Sequence, residues 1–156
     1  KTLFPYTTLF RSRHGGHGGG EILLGNRPVG LGPGRGGGQR ASGSIVLTAS
    51  TAGLKALPNI GDYVAAKHGV VGITKTAAME YAQDNIRVNC VNPGYIKTPM
   101  TDPGMAERYE LLMTKVPMHR LGVPEEIAEA VVWVCSDKAS FMTGASHVVD
   151  GGYYAA

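Results

Sequence analysis

Only two cysteines occur in the 156 residues, Cys90 and Cys135, and neither belongs to a CxxC pair or stands near a histidine pattern. That spacing excludes a disulfide framework and a zinc knuckle, and it leads us to expect the reduced, buried thiols of a cytoplasmic protein. No apolar run approaches the ~18 residues that a membrane span requires. Pro5, Tyr6, Thr7 and Thr8 interrupt the place where a signal peptide would carry its apolar core. Charge is sparse, at 17% of residues against 43% hydrophobic. Such a chain can bury a real core and is no disordered polyampholyte. Its length suits one domain.

What charge there is lies unevenly. Residues 1–40 hold six Lys/Arg and a single acidic residue, whereas residues 41–156 hold nine and eleven. The basic excess thus belongs to the first forty residues, and the remainder offers no reason to expect a nucleic-acid partner. Twelve of the 23 glycines fall in the same forty. Residues 1–12 (KTLFPYTTLFRS) fit neither a helix start nor a strand with a turn and read as foreign to the fold. Residues 13–40 carry too much glycine for their few apolar side chains to offset the entropy of ordering. The whole of 1–40 is therefore expected to be non-native or disordered. Gly30, Gly34 and Gly36, and likewise Gly32, Gly34 and Gly37, match dinucleotide-loop patterns. The mechanism of such a loop needs a strand before it and a helix after it. Here more glycine and then QRASG follow, so the match is chance. His14 and His17, without further ligands, make no metal site.

From Gly43 the pattern changes. Ser44–Ser50 is a short β-branched apolar run and reads as a buried strand. Residues 51–62, with Gly53, Pro58, Asn59 and Gly61, read as a loop. A long helix is expected over 63–84, with Asp62 as its N-cap and Asn85 near its end. Residues 86–92 read as a second strand, stopped by Pro93-Gly94. A short helix is expected at 105–114, and another from Pro124 to Ser136 with Glu125 and Glu126 in its first turn. Residues 146–150 form a third strand. Helix-length connections between strands force parallel pairing. The expected fold is α/β: a partial Rossmann-like parallel sheet of three strands flanked by helices, with one edge and one face left uncovered.

Ligands of open α/β sheets bind beyond the carboxyl ends of the strands. Ser50, Pro93-Gly94, and the helix start bearing Tyr63 and Lys67 all belong to that edge. Tyr63 and Lys67 are four apart and share a helical face. An ammonium beside a phenol favours the phenolate and would bring it toward a working pKa for acid/base chemistry. A serine hydroxyl at the same mouth can hold a substrate oxygen. Tyr and Lys at this spacing also occur by chance on many helices, so the pair alone carries little. His68, His119 and His147 show no ligand spacing, and Cys90, alternating with Val88, reads as an inert buried thiol.

The wider text decides the weight. Ser50-x-x-Gly53, Tyr63-x-x-x-Lys67, IRVNCVNPGYIKTPM, RLGVPEEIAEAVVWVCSD and FMTGASHVVDGG together resemble the short-chain dehydrogenase/reductase family across about residues 43–153. The resemblance implies that Tyr63 is the catalytic acid/base of an NAD- or NADP-dependent oxidoreductase interconverting a secondary alcohol and a ketone. It implies that Lys67 lowers that tyrosine's pKa and holds the nicotinamide ribose, and that Ser50 orients the substrate oxygen. Pro93, Gly94, Ile96 and Thr98 match the loop lining the nicotinamide, and residues 99–118 match the substrate lid. Met100, Met105, Met113 and Met118 are expected mostly to pack. Asp150-Gly151-Gly152 matches a glycine turn at a subunit interface, so a homo-oligomer is implied.

The same resemblance leads us to expect that residues 41–156 are the carboxyl-terminal part of such a domain. Its first half, with the glycine turn for pyrophosphate and the residue choosing NAD or NADP, is expected to be missing. Only 62 residues precede Tyr63. Asn26 stands near the distance of the family's active-site asparagine but in glycine-rich surroundings, and the role is not carried to it. The alternative is a catalytically inactive fragment that serves only as a self-association module.

Overall fold

The computed structural model describes residues 7–11, 21–24, 43–98 and 105–155. Eight regular elements occur among them: β1 (Thr7–Arg11), β2 (Glu21–Leu24), β3 (Gly43–Thr48), α1 (Gly61–Tyr81), β4 (Ile86–Pro93), α2 (Met105–Met113), α3 (Pro124–Cys135) and β5 (Ser146–Val149). The sheet order is β2-β1-β3-β4-β5. β3, β4 and β5 run parallel, with Leu47 beside Cys90 and Val91 beside His147. This is the expected α/β architecture, and no described helix is long and apolar enough to cross a membrane.

Two expectations about residues 1–40 need correction. Residues 7–11 and 21–24 are strands: β1 pairs antiparallel with both β2 and β3, placing Thr7 beside Leu47 and Phe10 beside Ser44. The edge of β3 expected to stand open is therefore occupied by the chain's own early residues. The physical reason is that an unpaired strand edge is a row of hydrogen-bond groups: the short β-prone run TTLFR satisfies the edge of β3, and EILL in turn pairs with the outer edge of β1. Residues 12–20 and 25–42, which contain His14, His17, Asn26 and the glycine mimic, lie outside the described residues.

α1 begins two residues earlier than expected, and Ile60, not Asp62, holds its N-cap position. Asp62 sits inside the first turn, where its Oδ1 accepts the Tyr63 N–H at 2.8 Å and its charge suits the helix dipole. At the far end α1 gives way at Tyr81 to a tighter turn over Ala82–Asp84, and Asn85 turns the chain with φ of 59°. Asparagine tolerates that left-handed geometry better than most residues.

Strand alternation divides the core into two layers. α3 packs Val134 and Cys135 onto Val46 and Val91 on one face of the sheet. α1 packs Val70 and Val71 onto Ala49 and Cys90 on the other. The two cysteines are thus buried on opposite faces and both are free. A third cluster lies beyond the strand ends, where Met113, Val116 and Tyr153 gather Leu57, Tyr95, Leu112 and Leu121.

Arg87 locks α3 to β4. Its guanidinium donates to the carbonyls of Val134, Cys135, Ser136 and Met142 at 2.9–3.2 Å. These include the last carbonyls of α3, which have no partner within the helix, and a cation there also complements the dipole.

Candidate active site

Because β3, β4 and β5 are parallel, Ser50, Gly94 and Asp150 emerge on one edge of the sheet. Ser50 is extended and begins a tight turn over Thr51–Gly53. Its Oγ accepts the Ala52 N–H at 3.1 Å, which leaves its own O–H proton to be donated elsewhere. A Cβ on Gly53 would lie 2.7 Å from the Lys67 carbonyl oxygen, so glycine is what lets this turn sit flush against α1 at Lys67.

Tyr63 stands in the first turn of α1 and is 45% exposed, open to a ligand. Lys67, one turn on, places Nζ 5.6 Å from the centre of the Tyr63 ring. The same ammonium donates to the Thr48 carbonyl at the end of β3, at 3.1 Å. Lys67 is half-buried, and burial lowers its pKa from the ordinary lysine value. Sequence spacing anticipated the Tyr63–Lys67 neighbourhood, but not the tether to Thr48, which brings Lys67 and the Ser50 strand together.

The expected nicotinamide loop follows β4. The Gly94 N–H donates to Val149 at 3.1 Å, and a Cβ on Gly94 would come within 2.6 Å of the Asp150 Cβ. Ile96 is drawn toward α3, bridging in parallel to Gly122, while Thr98 is half-buried. Residues 99–104 of the expected lid, with Met100, lie outside the described residues, as do the side chains of 105–108. Met113 packs as expected, whereas Met118 is 59% exposed. Asp150 holds its glycine turn by accepting from Gly152 and Tyr154 N–H at 2.9 and 2.6 Å. Gly151 and Gly152, with φ of 64° and 90°, pack closely on Val116 and Pro117 of this same chain.

Lys55 links this region to the Ser50 turn, its Nζ 4.1 Å over the Tyr153 ring. Tyr95 meets Tyr153 edge-on at 5.0 Å, and its phenol is pushed up to about 12 by burial and by the hydrogen bond to Tyr153. A depression lined by Tyr95, Ile96, Arg120, Glu126, Val149 and Asp150 includes none of Ser50, Tyr63 and Lys67. Glu126 receives two guanidinium N–H bonds from Arg120 at 2.6 and 2.9 Å and one from the Val123 backbone. Its carboxyl is held down to about 2 from an ordinary 4.5 by those bonds.

The histidines do not gather, and no group of three metal-ligating side chains occurs among the described residues. His68 and His119 each bond a backbone carbonyl within their own segments. His147 Nε2 is buried without a partner, and burial lowers its pKa. Sequence reasoning missed Asn92, a fully buried amide that donates to the Ser50 carbonyl at 2.9 Å. The available signal was a polar residue at an inward-facing strand position, directly before Pro93.

Comparison with known proteins bears on the family and the fold. Residues 37–154 match a family model described as enoyl-(acyl carrier protein) reductase. A cyclohexanol dehydrogenase from Acinetobacter sp. (strain SE19) is 57% identical over 112 residues, covering 71% of this chain and 43% of that relative. Among solved structures, 4-hydroxyisoleucine dehydrogenase complexed with NADH superposes with a TM-score of 0.72 at 37% identity, over 75% of this chain and 49% of that one. A structure from Agrobacterium tumefaciens with bound NADP gives 0.71 at 39% identity, over 74% and 48%. The chain belongs to the short-chain dehydrogenase/reductase family. It spans a little under half the length of the curated relatives it matches.

Proposed function

We propose that residues 41–156 carry the catalytic end of an NAD(P)-dependent oxidoreductase that interconverts a secondary alcohol and a ketone. The observation that supports this most directly is the placement of the Lys67 ammonium beside the Tyr63 ring, with the Ser50 turn flush against the same helix. Ser50 donates its O–H to the substrate oxygen. Tyr63 delivers a proton to that oxygen as the carbon takes up hydride, and the phenolate it leaves is stabilised by the Lys67 charge. In the oxidative direction the phenolate takes the alcohol proton. The nicotinamide, when bound, supplies or accepts the hydride.

The donor set fits the nicotinamide-ribose end of such a cofactor. Lys67 has three N–H donors, one of them directed to Thr48, and the Pro93-Gly94 turn with Ile96 and Thr98 is the segment the family resemblance assigns to the nicotinamide. Among the described residues no strand passes through a glycine-rich turn into a helix N-terminus, the usual seat of pyrophosphate.

The test is turnover of cyclohexanol with NAD or NADP, and of cyclohexanone with the reduced forms, by the 156-residue chain. Nucleotide-dependent turnover that Tyr63→Phe reduces by ~10²–10⁴-fold is expected for a lost acid/base. Absence of turnover, or a Tyr63→Phe protein as active as the parent, removes the reading for this chain.

A second reading is a self-association module without catalysis. It draws on Ile73 and Met79, 53% and 83% exposed on α1, apolar side chains of the kind that cover one another between copies. Light scattering that finds only monomer at micromolar concentration eliminates it.

A further inference from the structure

Asn92 stands on β4 directly before Pro93, 0% exposed on the face turned to α1. The rung from Ala49 N–H to the Val91 carbonyl, at 2.8 Å, closes the β3–β4 ladder, because the next rung would need an N–H that Pro93 lacks. Beyond it β3 leaves the sheet at Ser50. There the Asn92 side chain takes over from the backbone, with a donor aimed one residue further on, at Ser50. Its Nδ2–H reaches the Ser50 carbonyl at 2.9 Å, and the same oxygen accepts the Gly53 N–H at 2.8 Å. Both acceptor sites of that carbonyl are then used. The far end of the amide is held as well: Oδ1 accepts from the Cys90 thiol at 3.5 Å, and Cys90 Sγ lies 3.3 Å from Ser146 Oγ on β5.

The geometry points to Asn92 as a positioning residue that sets where the Ser50 hydroxyl is presented. This rests on the reading of Ser50 as the group that orients the substrate oxygen. A buried amide costs free energy to desolvate unless both of its ends find partners, and an aliphatic side chain would fill the same space without that cost. Its partners are the backbone of Ser50 on one side and, on the other, the Cys90 thiol, which itself lies against Ser146 of β5. The Ser50 turn is thereby referred to the rigid parallel sheet, not only to its own three-residue turn. Displacement of a reacting group by about 1 Å can cost ~10²-fold in rate, so a tether of this kind is a rate-determining part of the scaffold.

The experiment uses the full chain and two substitutions. Asn92→Asp keeps the shape and turns the donor into an acceptor; Asn92→Ala removes both ends. In the unmodified protein, NMR is expected to show a through-hydrogen-bond coupling between Asn92 Nδ2 and the Ser50 carbonyl carbon, with slow exchange of the side-chain amide protons. In Asn92→Asp the Ser50 carbonyl and Ala52 amide resonances shift together. With cyclohexanone and the reduced nucleotide, kcat falls ~10²-fold in both variants while KM for the nucleotide stays within twofold. Lack of the coupling, or a lowered melting temperature with unchanged kcat, overturns the assignment. If the unmodified chain shows no turnover, the oxidoreductase reading fails by itself, and the coupling with the Ser50–Ala52 shifts decides the role of Asn92. If neither variant folds, the coupling in the unmodified protein still decides it.

Discussion

On the face turned to α3, β4 carries Arg87, Asn89 and Val91; on the face turned to α1 it carries Val88, Cys90 and Asn92. The first set fastens structure to structure. Arg87 ties the end of α3, and Asn89 ties the approach to β5 by donating to Met142 at 2.8 Å and accepting from Ala145 at 3.1 Å. The second set leads toward the site, through Cys90 and Asn92 to the Ser50 carbonyl. Both asparagines are fully buried. A single strand can thus serve stability on one side and geometry on the other, because alternate side chains share a backbone but not an environment.

Substitutions on the two faces separate those uses. Lys67→Met, on the α1 side, removes the charge beside the Tyr63 ring and the tether to Thr48. We expect turnover to fall ~10²–10³-fold, measured at saturating substrate, with little change in melting temperature. Arg87→Ala, on the α3 side, leaves the Val134, Cys135, Ser136 and Met142 carbonyls without their donor. Urea unfolding should show a loss of about 3 kcal/mol, with kcat of the folded protein retained. Arg87→Lys should recover only part of that, since an ammonium cannot fork among four carbonyls. A fall in kcat for Arg87→Ala without loss of stability breaks the division between the faces.

Gly53→Ala tests the contact where the Ser50 turn meets α1. Its methyl would need space now 2.7 Å from the Lys67 carbonyl oxygen, so the turn must move. A stability loss of about 1–3 kcal/mol is expected by unfolding, accompanied by a fall in kcat that Arg87→Ala does not show. The smallest effect is expected from Glu126→Gln, an exposed carboxylate in the first turn of α3. Because the folded carboxyl titrates at about 2, below its ordinary 4.5, its contribution is present above the ordinary value and is lost as pH falls through about 2. The pair with Arg120 is exposed, so the difference between parent and variant should shrink in high salt. Melting curves from pH 6 down to pH 2, with and without salt, check both signs.

The helices and the three parallel strands were legible because each is written in a local code. Val88, Cys90 and their neighbours form a short β-prone run bounded by turn residues, and Pro124 with Glu125 and Glu126 marks a helix start. Tyr63 and Lys67 were legible for the same reason, being one helical turn apart. β1 and β2 were not, since β1 is ordered by the edge of β3, more than thirty residues away in its register with Leu47, and β2 by the edge of β1. Asp62 was misread as the N-cap because a side chain that bonds its nearest neighbour's N–H leaves no sign of which side of the helix boundary it occupies. Lys67's bond to Thr48 and Met118's exposure depend on packing that no local pattern encodes.

Residue order and spacing settled that helix-length crossovers join parallel strands and that an amine lies one turn from a phenol, since both follow from the repeat of the backbone. Folding in three dimensions alone decided that a buried amide reaches a serine carbonyl 42 residues distant, that Arg87 reaches the end of α3, and that Gly53 must yield its side chain to Lys67. Those contacts join residues distant in the chain, and a hydrogen bond or close approach between such residues has no period for a linear text to display.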